Sequence, residues 1–423
     1  MKASITALAQ GLSSPLPPST DAPDRAGLFD SALRAIRDHL GLDATYISEF
    51  AKDGEVIYRQ VCAPAPDPSS RISQLEPGDI LRAKTTYCYH ISEGRLPELI
   101  HDTQALELSR NLPATKDLQI GSHIGVPLQL KDGQIYGMLC GYSHAPNPGL
   151  NDRDLSTMRM FANLVAEHLD EKIRTETMMD LKRQRVRAVL DSGSLDIAFQ
   201  PIVNLTSMRT VGFEALSRFS GAGACPPDIL FSEAADVGYL AELELAAIAK
   251  ALNALPELEP TQFLSINASP DTIVTDAFWQ LLRQYPPQRI VVEVTEHAAV
   301  GCYEQLLEAL KPLRRQGTRL AVDDAGAGYA SMRHILQLHP DIIKLDMSIT
   351  RDIDKSPAHR ALVRALTSFT LETRGHVVAE GIETDTELDV LRSLGVHKGQ
   401  GYLLGRPQTS LPDFPPGETK LYA

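Results

Sequence analysis

Cysteine is scarce in this 423-residue chain: five residues (62, 88, 140, 225 and 302), odd in number, dispersed and without a Cys-x-x-Cys pair. That excludes a disulfide framework and a zinc ribbon, and it fits a reducing compartment. Long apolar runs are missing as well. No stretch approaches the roughly 20 residues that a membrane helix needs, and Met1–Gln10 carries one lysine and too short an apolar core for a signal peptide. The expectation is a cytoplasmic protein with no membrane partner. Basic charge is also in deficit, since 41 Lys plus Arg stand against 54 Asp plus Glu, a net charge of −13. A nucleic-acid polymer is thereby excluded as partner, because proteins that bind one present basic faces. A small anionic ligand remains compatible, provided that metal ions supply the positive charge.

The length calls for two domains. Residues 13–24, Ser-Ser-Pro-Leu-Pro-Pro-Ser-Thr-Asp-Ala-Pro-Asp, make 1–24 a flexible N-terminal segment. Residues 25–170 read as a small α+β module. Leu28, Phe29, Leu33, Ile36 and Leu40 stand at helical spacing. Ala44–Phe50 and Glu55–Cys62 flank the turn signal Asp53-Gly54, and Ser122–Leu130 and Ile135–Tyr142 flank Lys131-Asp132-Gly133. A stretch free of Gly and Pro runs from Asn151 or Asp152 to about Leu190, with Ser192-Gly193 as its stop. At 1.5 Å per residue some 38 residues would span roughly 57 Å. Leu155, Met158, Val165 and Leu169, continued by Met178, Leu181 and Val186, form a partial heptad seam that predicts a paired helix. Residues 171–193 are its linker part, and 194–423 form the second domain.

That second domain repeats one pattern: a short apolar run that ends in an acidic or amide residue. Phe213-Glu214, Leu264-Ser265-Ile266-Asn267, Val291-Val292-Glu293, Leu320-Ala321-Val322-Asp323-Asp324, Ile342-Ile343-Lys344 and Val377-Val378-Ala379-Glu380 all follow it. Runs of this kind separated by helix-length stretches read as βα units around a parallel sheet. The expected strands are 197–203, 211–216, 263–267, 290–294, 319–323, 342–345, 376–379 and 402–404, which suits a (β/α)8 TIM-type barrel. Such a barrel collects its strand-end residues at one mouth. Carboxylates held that close need cations to neutralise them, so the pattern points to hard metal ions and phosphate chemistry.

The motifs FQPIVNL (199–205), GFEALSRF (212–219), LSINASP (264–270), VEVTEH (292–297), VDDAGAGYAS (322–331), IIKLD (342–346), VVAEGIET (377–384) and GQGYLLGRP (399–407) resemble those of the EAL domain of cyclic di-GMP phosphodiesterases, in family order. The resemblance implies a modified (β/α)8 barrel with two Mg²⁺ or Mn²⁺ ions. It implies Glu214, Asn267, Glu293 and Asp323 as ligands of the first ion. Asp323 bridges to the second, which Asp324 and Glu380 complete. Oxygen donors suit these metals, and two of them together polarise a phosphate and acidify a water between them. By the same resemblance Lys344 stands beside the attacking water, Glu383 orients it, Gln400 lies near the second ion, and Glu296 steadies the loop after Asp324. Gln200, Glu214 and Arg218 face the substrate, and Asp346 is a further carboxylate at the site. One segment departs from the family pattern: Ala325-Gly326-Ala327-Gly328-Tyr329 stands where Phe-Gly-Thr-Gly-Tyr is common, so Ala325 replaces an aromatic in a loop that the family couples to its dimer interface.

Residues 112–144, LPATKDLQIGSHIGVPLQLKDGQIYGMLCGYSH, with the helix at Leu155–Leu169, resemble a GAF domain. They show neither a cyclic-nucleotide signature nor a bilin-attachment cysteine, so a GAF ligand is not identified. The expected function is hydrolysis of cyclic di-GMP to linear pGpG under GAF control. The expected assembly is a homodimer through the EAL loop region and the GAF and linker helices. A catalytically silent receptor for cyclic di-GMP is the alternative, as is a phosphodiesterase acting on linear dinucleotides.

Overall fold

The computed structural model describes residues 25–63, 75–221, 224–295, 303–325 and 330–411. The chain divides into two compact units, residues 1–176 and 177–423. No helix among the described residues is long and apolar enough to cross a membrane.

The first unit is built on six antiparallel strands: β1 (Ala44–Phe50), β2 (Glu55–Cys62), β3 (Ile80–Arg82), β4 (Leu99–Ile100), β5 (Ser122–Gln129) and β6 (Ile135–Ser143). Their spatial order is β3-β2-β1-β6-β5-β4. Both expected hairpins form, and their turns place Gly54 and Gly133 at φ +76° and +88°, where only glycine is at ease. Side chains alternate across the sheet. Leu33, Ile36 and Leu40 of the helix Arg25–Leu40 cover one face together with Ile47, Val126 and Leu139. Tyr46, Tyr58, Cys88, Met138, Cys140 and Tyr142 fill the other.

The Gly- and Pro-free stretch is one helix of 41 residues, Asp152–Ser192. Part of the expected seam is already covered within the chain itself. Met158 and Val165 are buried, and Leu155 and Leu169 half-buried, in the first unit's own core, while Val186 is buried in the core of the second. An apolar stripe cannot announce from spacing alone whether its own sheet or a second helix will cover it. Met178 and Leu181 are exposed, and so are Met160 and Leu164 on the same helix.

The second unit closes into a barrel of eight strands: β7 (Leu195–Asn204), β8 (Arg209–Phe219), β9 (Phe263–Asn267), β10 (Ile290–Thr295), β11 (Arg319–Ala325), β12 (Ile342–Leu345), β13 (His376–Ala379) and β14 (Lys398–Gly399). Strands β8 to β14 run parallel where they pair. β7 is antiparallel to both neighbours, joined to β8 by a hairpin rather than a helix. This is the modification to the expected (β/α)8 pattern: Thr206-Ser207-Met208 is too short for a crossover. The last strand also differs from expectation. Tyr402–Leu404 forms a turn in which Leu403 N donates to Ile382 O at 3.0 Å. Its apolar character reflects burial of Leu403 and Leu404 inside that turn, whereas the two-residue strand Lys-Gly carries no periodic signal.

Residues two apart on a strand share a side. Ile202, Phe263, Val291, Ala321, Ile342 and Val378 form an apolar layer inside the barrel. Leu264, Ile266, Val292, Val322 and Ile343 point outward into the core under the helices. One step further along the inward series lie the polar residues of the strand ends.

Candidate functional site

Glu214 from β8, Glu293 from β10, Asp323 from β11 and Glu380, the residue after β13, converge on Lys344 from β12. Its ammonium lies 3.2, 2.7, 3.1 and 2.7 Å from their respective oxygens. Lys344 is 1% exposed, so no water competes for it. Burial alone would lower its pKa. The four carboxylates outweigh that and hold it well above the ordinary lysine range, a fixed cation.

One cation cannot satisfy four buried anions. Burial pushes Glu293 up to about 8, with Glu214 and Asp323 adding to the rise that Lys344 only partly offsets. Glu380 is raised well above a normal glutamate for the same reason, burial first. For Glu214 burial is likewise the largest influence. The Lys344 charge and hydrogen bonds from Gln400, Lys344 and Asn267 together exceed it and leave this carboxyl below its usual value. The cluster is therefore short of positive charge, and its members share that deficit unequally.

The donor set fits hard divalent cations. Glu214, Glu293 and Asp323 each offer an oxygen within 4.8 Å of the others, and so do Asp323, Asp324 and Glu380. Asp323 belongs to both triplets. Every donor is an oxygen, the preference of Mg²⁺ and Mn²⁺. Asn267 ends β9 beside them, its Nδ2 3.4 Å from Glu214 Oε1. Gln400 donates Nε2 to Glu214 at 2.6 Å and to Glu380 at 3.0 Å, and its buried Oε1 has no partner among the described residues. Asp324 holds φ +55°, a left-handed conformation that is costly away from glycine.

Other residues singled out from the sequence lie around this centre in different ways. Gln200 is buried beside Glu214 in register and donates to Gly405 O at 3.3 Å. Arg218, half-buried, donates to Ser217 O at 2.8 Å. Asp346 caps the short helix Met347–Thr350, accepting from Ser348 N at 2.9 Å. Glu383 is not brought to Lys344: it is exposed and pairs with Arg351 at 3.2 Å. Glu296 and the loop 326–329 lie outside the described residues, while Ala325 is buried and pairs with Leu345.

Two supporting residues escaped the sequence reading. Buried Ser265 donates its hydroxyl to Glu293 Oε1. Its inward position, two before Asn267 on β9, was the available signal. Buried Glu387 accepts from the backbone of Glu383, Thr384 and Asp352 at 3.0, 3.1 and 3.1 Å, so it shapes the segment after Glu380. Thr384-x-x-Glu387 is a capping-box pattern, visible in the sequence.

The family model described as the EAL domain matches residues 183–407, just over half of the chain, and that of the GAF domain matches 24–169. The protein named probable cyclic di-GMP phosphodiesterase PdeA of Escherichia coli is 31% identical over 232 residues, covering 53% of this chain and 32% of the relative. This chain spans about a third of the length of the curated relatives that it matches first, 35, 36 and 32%. A Klebsiella pneumoniae BlrP1 manganese/cyclic di-GMP complex is 32% identical, with TM-score 0.46, over 51% of this chain and 56% of that one. The Xanthomonas citri FimX EAL domain, in complex with cyclic di-GMP, shares the fold at 19% identity and TM-score 0.50, over 56% and 98%.

Proposed function

The chain belongs to the EAL domain family and carries a GAF domain ahead of it, and from that premise we propose that it is a metal-dependent phosphodiesterase that hydrolyses cyclic di-GMP to linear pGpG. The observation that carries this reading is the acidic set at the barrel mouth, Glu214, Glu293, Asp323, Asp324 and Glu380, in two oxygen triplets sharing Asp323, with the Asn267 amide beside Glu214. None of the carboxylates or amides that the family motifs supply is replaced. Two Mg²⁺ or Mn²⁺ ions, when bound there, supply the positive charge that polarises a phosphodiester and acidifies a water.

The chain's own residues do the rest. Glu214, Glu293, Asp323 and Glu380 hold the reaction centre at the end of rigid strands, so its geometry costs no reorganisation. Lys344 remains protonated among them and acts as a fixed charge beside the reacting phosphate rather than as a base. Gln400 ties Glu214 to Glu380 across the mouth. Gln200 and Arg218 face the substrate, Arg218 as a fork for phosphate oxygens. Water adds to phosphorus, the bond to one ribose oxygen breaks, and that oxygen leaves with a proton. Glu383 and Asp346 act through the segments they anchor.

The same reading takes 1–24 as a lead segment, 25–170 as the sensor, 171–193 as the connecting helix and 194–423 as the barrel. It takes the protein as cytoplasmic and as a homodimer whose sensor state alters turnover. The test is incubation of the purified chain with cyclic di-GMP and Mg²⁺ or Mn²⁺, with products resolved by chromatography beside an equilibrium binding measurement. Formation of pGpG supports the enzyme. Tight binding with no product would make the barrel a receptor instead.

A further inference from the structure

The end of the barrel remote from the acidic mouth carries the opposite charge. Along β11, Arg319 shares a side with Ala321 and Asp323, and along β13 His376 shares one with Val378. Lys398 of β14 stands two residues before Gln400. Ala321 and Val378 belong to the apolar interior layer, and Asp323, Glu380 and Gln400 lie beyond it at the mouth. Arg319, His376 and Lys398, the first residues of three strands, therefore meet on the other side of that layer. The buried Phe263 ring backs them: the Arg319 guanidinium lies 4.4 Å and the Lys398 ammonium 6.0 Å from its centroid.

Arg319 and Lys398 have no close ion pair among the described residues, and the Asp341 carboxylate acts on Arg319 only at longer range. Arg319, Lys398 and His376 make no ion pair or side-chain hydrogen bond there. The adjacent carboxylate, Asp341, uses its Oδ2 elsewhere, accepting from Leu320 N at 2.8 Å and pairing with Arg314 at 3.3 Å. Burial pushes Lys398 down to about 8, and the Arg319 charge adds to the effect. His376 is lowered by burial, then by Lys398, Arg319 and His397, with Asp341 opposing. Arg319 and Lys398, both half-buried, repel one another, and a shared anion removes that cost.

We propose that this second mouth binds a phosphate dianion, free or as the end of a phosphate monoester, held by Arg319 and Lys398 with His376 at the edge. A guanidinium presents paired donors to two phosphate oxygens and an ammonium supplies a compact charge for a third. Arg319, with Lys398 charged below about pH 8 and a titratable ring beside them, matches a dianion better than a carboxylate. The apolar layer separates this site from the acidic cluster, so the two act independently.

The test uses the full chain in EDTA, which removes any metal that could bind phosphate at the acidic mouth. Inorganic phosphate and, separately, guanosine 5′-monophosphate are titrated by calorimetry at constant ionic strength. Saturable binding is expected, weakened by roughly tenfold or more in Arg319→Gln and in Lys398→Gln, the loss of one charge-assisted contact. Equal affinity for the two probes assigns the site to the phosphate group alone. Tighter nucleotide binding, lost in the same variants, assigns it to a monoester. Circular dichroism checks that each variant is folded, with Lys398→Met as a second choice, and metal-dependent turnover should match the parent protein. No saturable binding of either probe, or binding unchanged in the folded variants, overturns the proposal.

Discussion

Replacing Lys344 by Met removes the single cation from the centre of four carboxylates while keeping most of the side chain's volume. All four partners lie within 3.2 Å of the ammonium, and Lys344 and Glu293 are each 1% exposed. Deleting one partner of a buried ion pair costs about 3–5 kcal/mol, because the remaining charge is stranded. Protonation of the carboxylates, already favoured at Glu293 and Glu380, keeps the loss near the lower end of that range. At ~2–4 °C per kcal/mol for a domain of this size, a loss of about 3 kcal/mol should lower the barrel's unfolding midpoint in EDTA by roughly 6–12 °C. Excess Mn²⁺ should return much of it, since a divalent cation answers the same deficit, while turnover stays low by orders of magnitude. Calorimetric scans of parent and variant, each with EDTA and with Mn²⁺, read both effects. A variant whose barrel unfolds within about 1 °C of the parent in EDTA would refute the idea that Lys344 neutralises this cluster.

Glu380→Ala should lower turnover by two or more orders of magnitude yet leave cyclic di-GMP binding measurable, read by single-turnover kinetics beside equilibrium titration. Gly381 follows Glu380 at φ +67°, and a Cβ there would stand 2.6 Å from Met347 Cβ. Gly381→Ala should therefore reduce kcat more than it reduces binding, as Glu380 is displaced; unchanged kcat would show that this turn does not set its position. In the first unit His123 is fully buried, with Nδ1 unpartnered, and burial holds its pKa down to about 3. The unfolded chain takes up that proton below about pH 6.5, so the first unit's stability should be lost as pH falls from there toward 3, by about 1.4 kcal/mol per unit. His123→Gln should flatten that dependence in denaturant titrations at stepped pH, and an equal slope would contradict it.

Much of the barrel was legible because most of its parallel strands are short apolar runs that lead into a polar residue at the same mouth. Glu214, Asn267, Glu293, Asp323 and Glu380 could be gathered on one mouth from that pattern alone. The reversal of β7 was not legible, because side-chain alternation is the same in either direction and only the brevity of Thr206–Met208 betrays the hairpin. β14 is two residues, Lys398 and Gly399, and was masked by the more apolar Tyr402–Leu404 next to it. Ser265, which acts through its hydroxyl on Glu293, and Glu387, which accepts from backbone amides, were signalled only by an inward strand position and a capping box, neither of which names a role at the site. The helix seam at Leu155–Leu169 was read correctly as an apolar stripe, but its cover is the first unit's own sheet.

On the proposed function, the acidic mouth works only when two divalent cations share it. Turnover of cyclic di-GMP by metal-stripped protein, followed as Mn²⁺ is added from zero, tests this directly. The account predicts no pGpG without metal, and a rate that rises with the second power of Mn²⁺ before it saturates. Turnover that persists under exhaustive chelation would contradict it, as would a rate that saturates with a single bound ion.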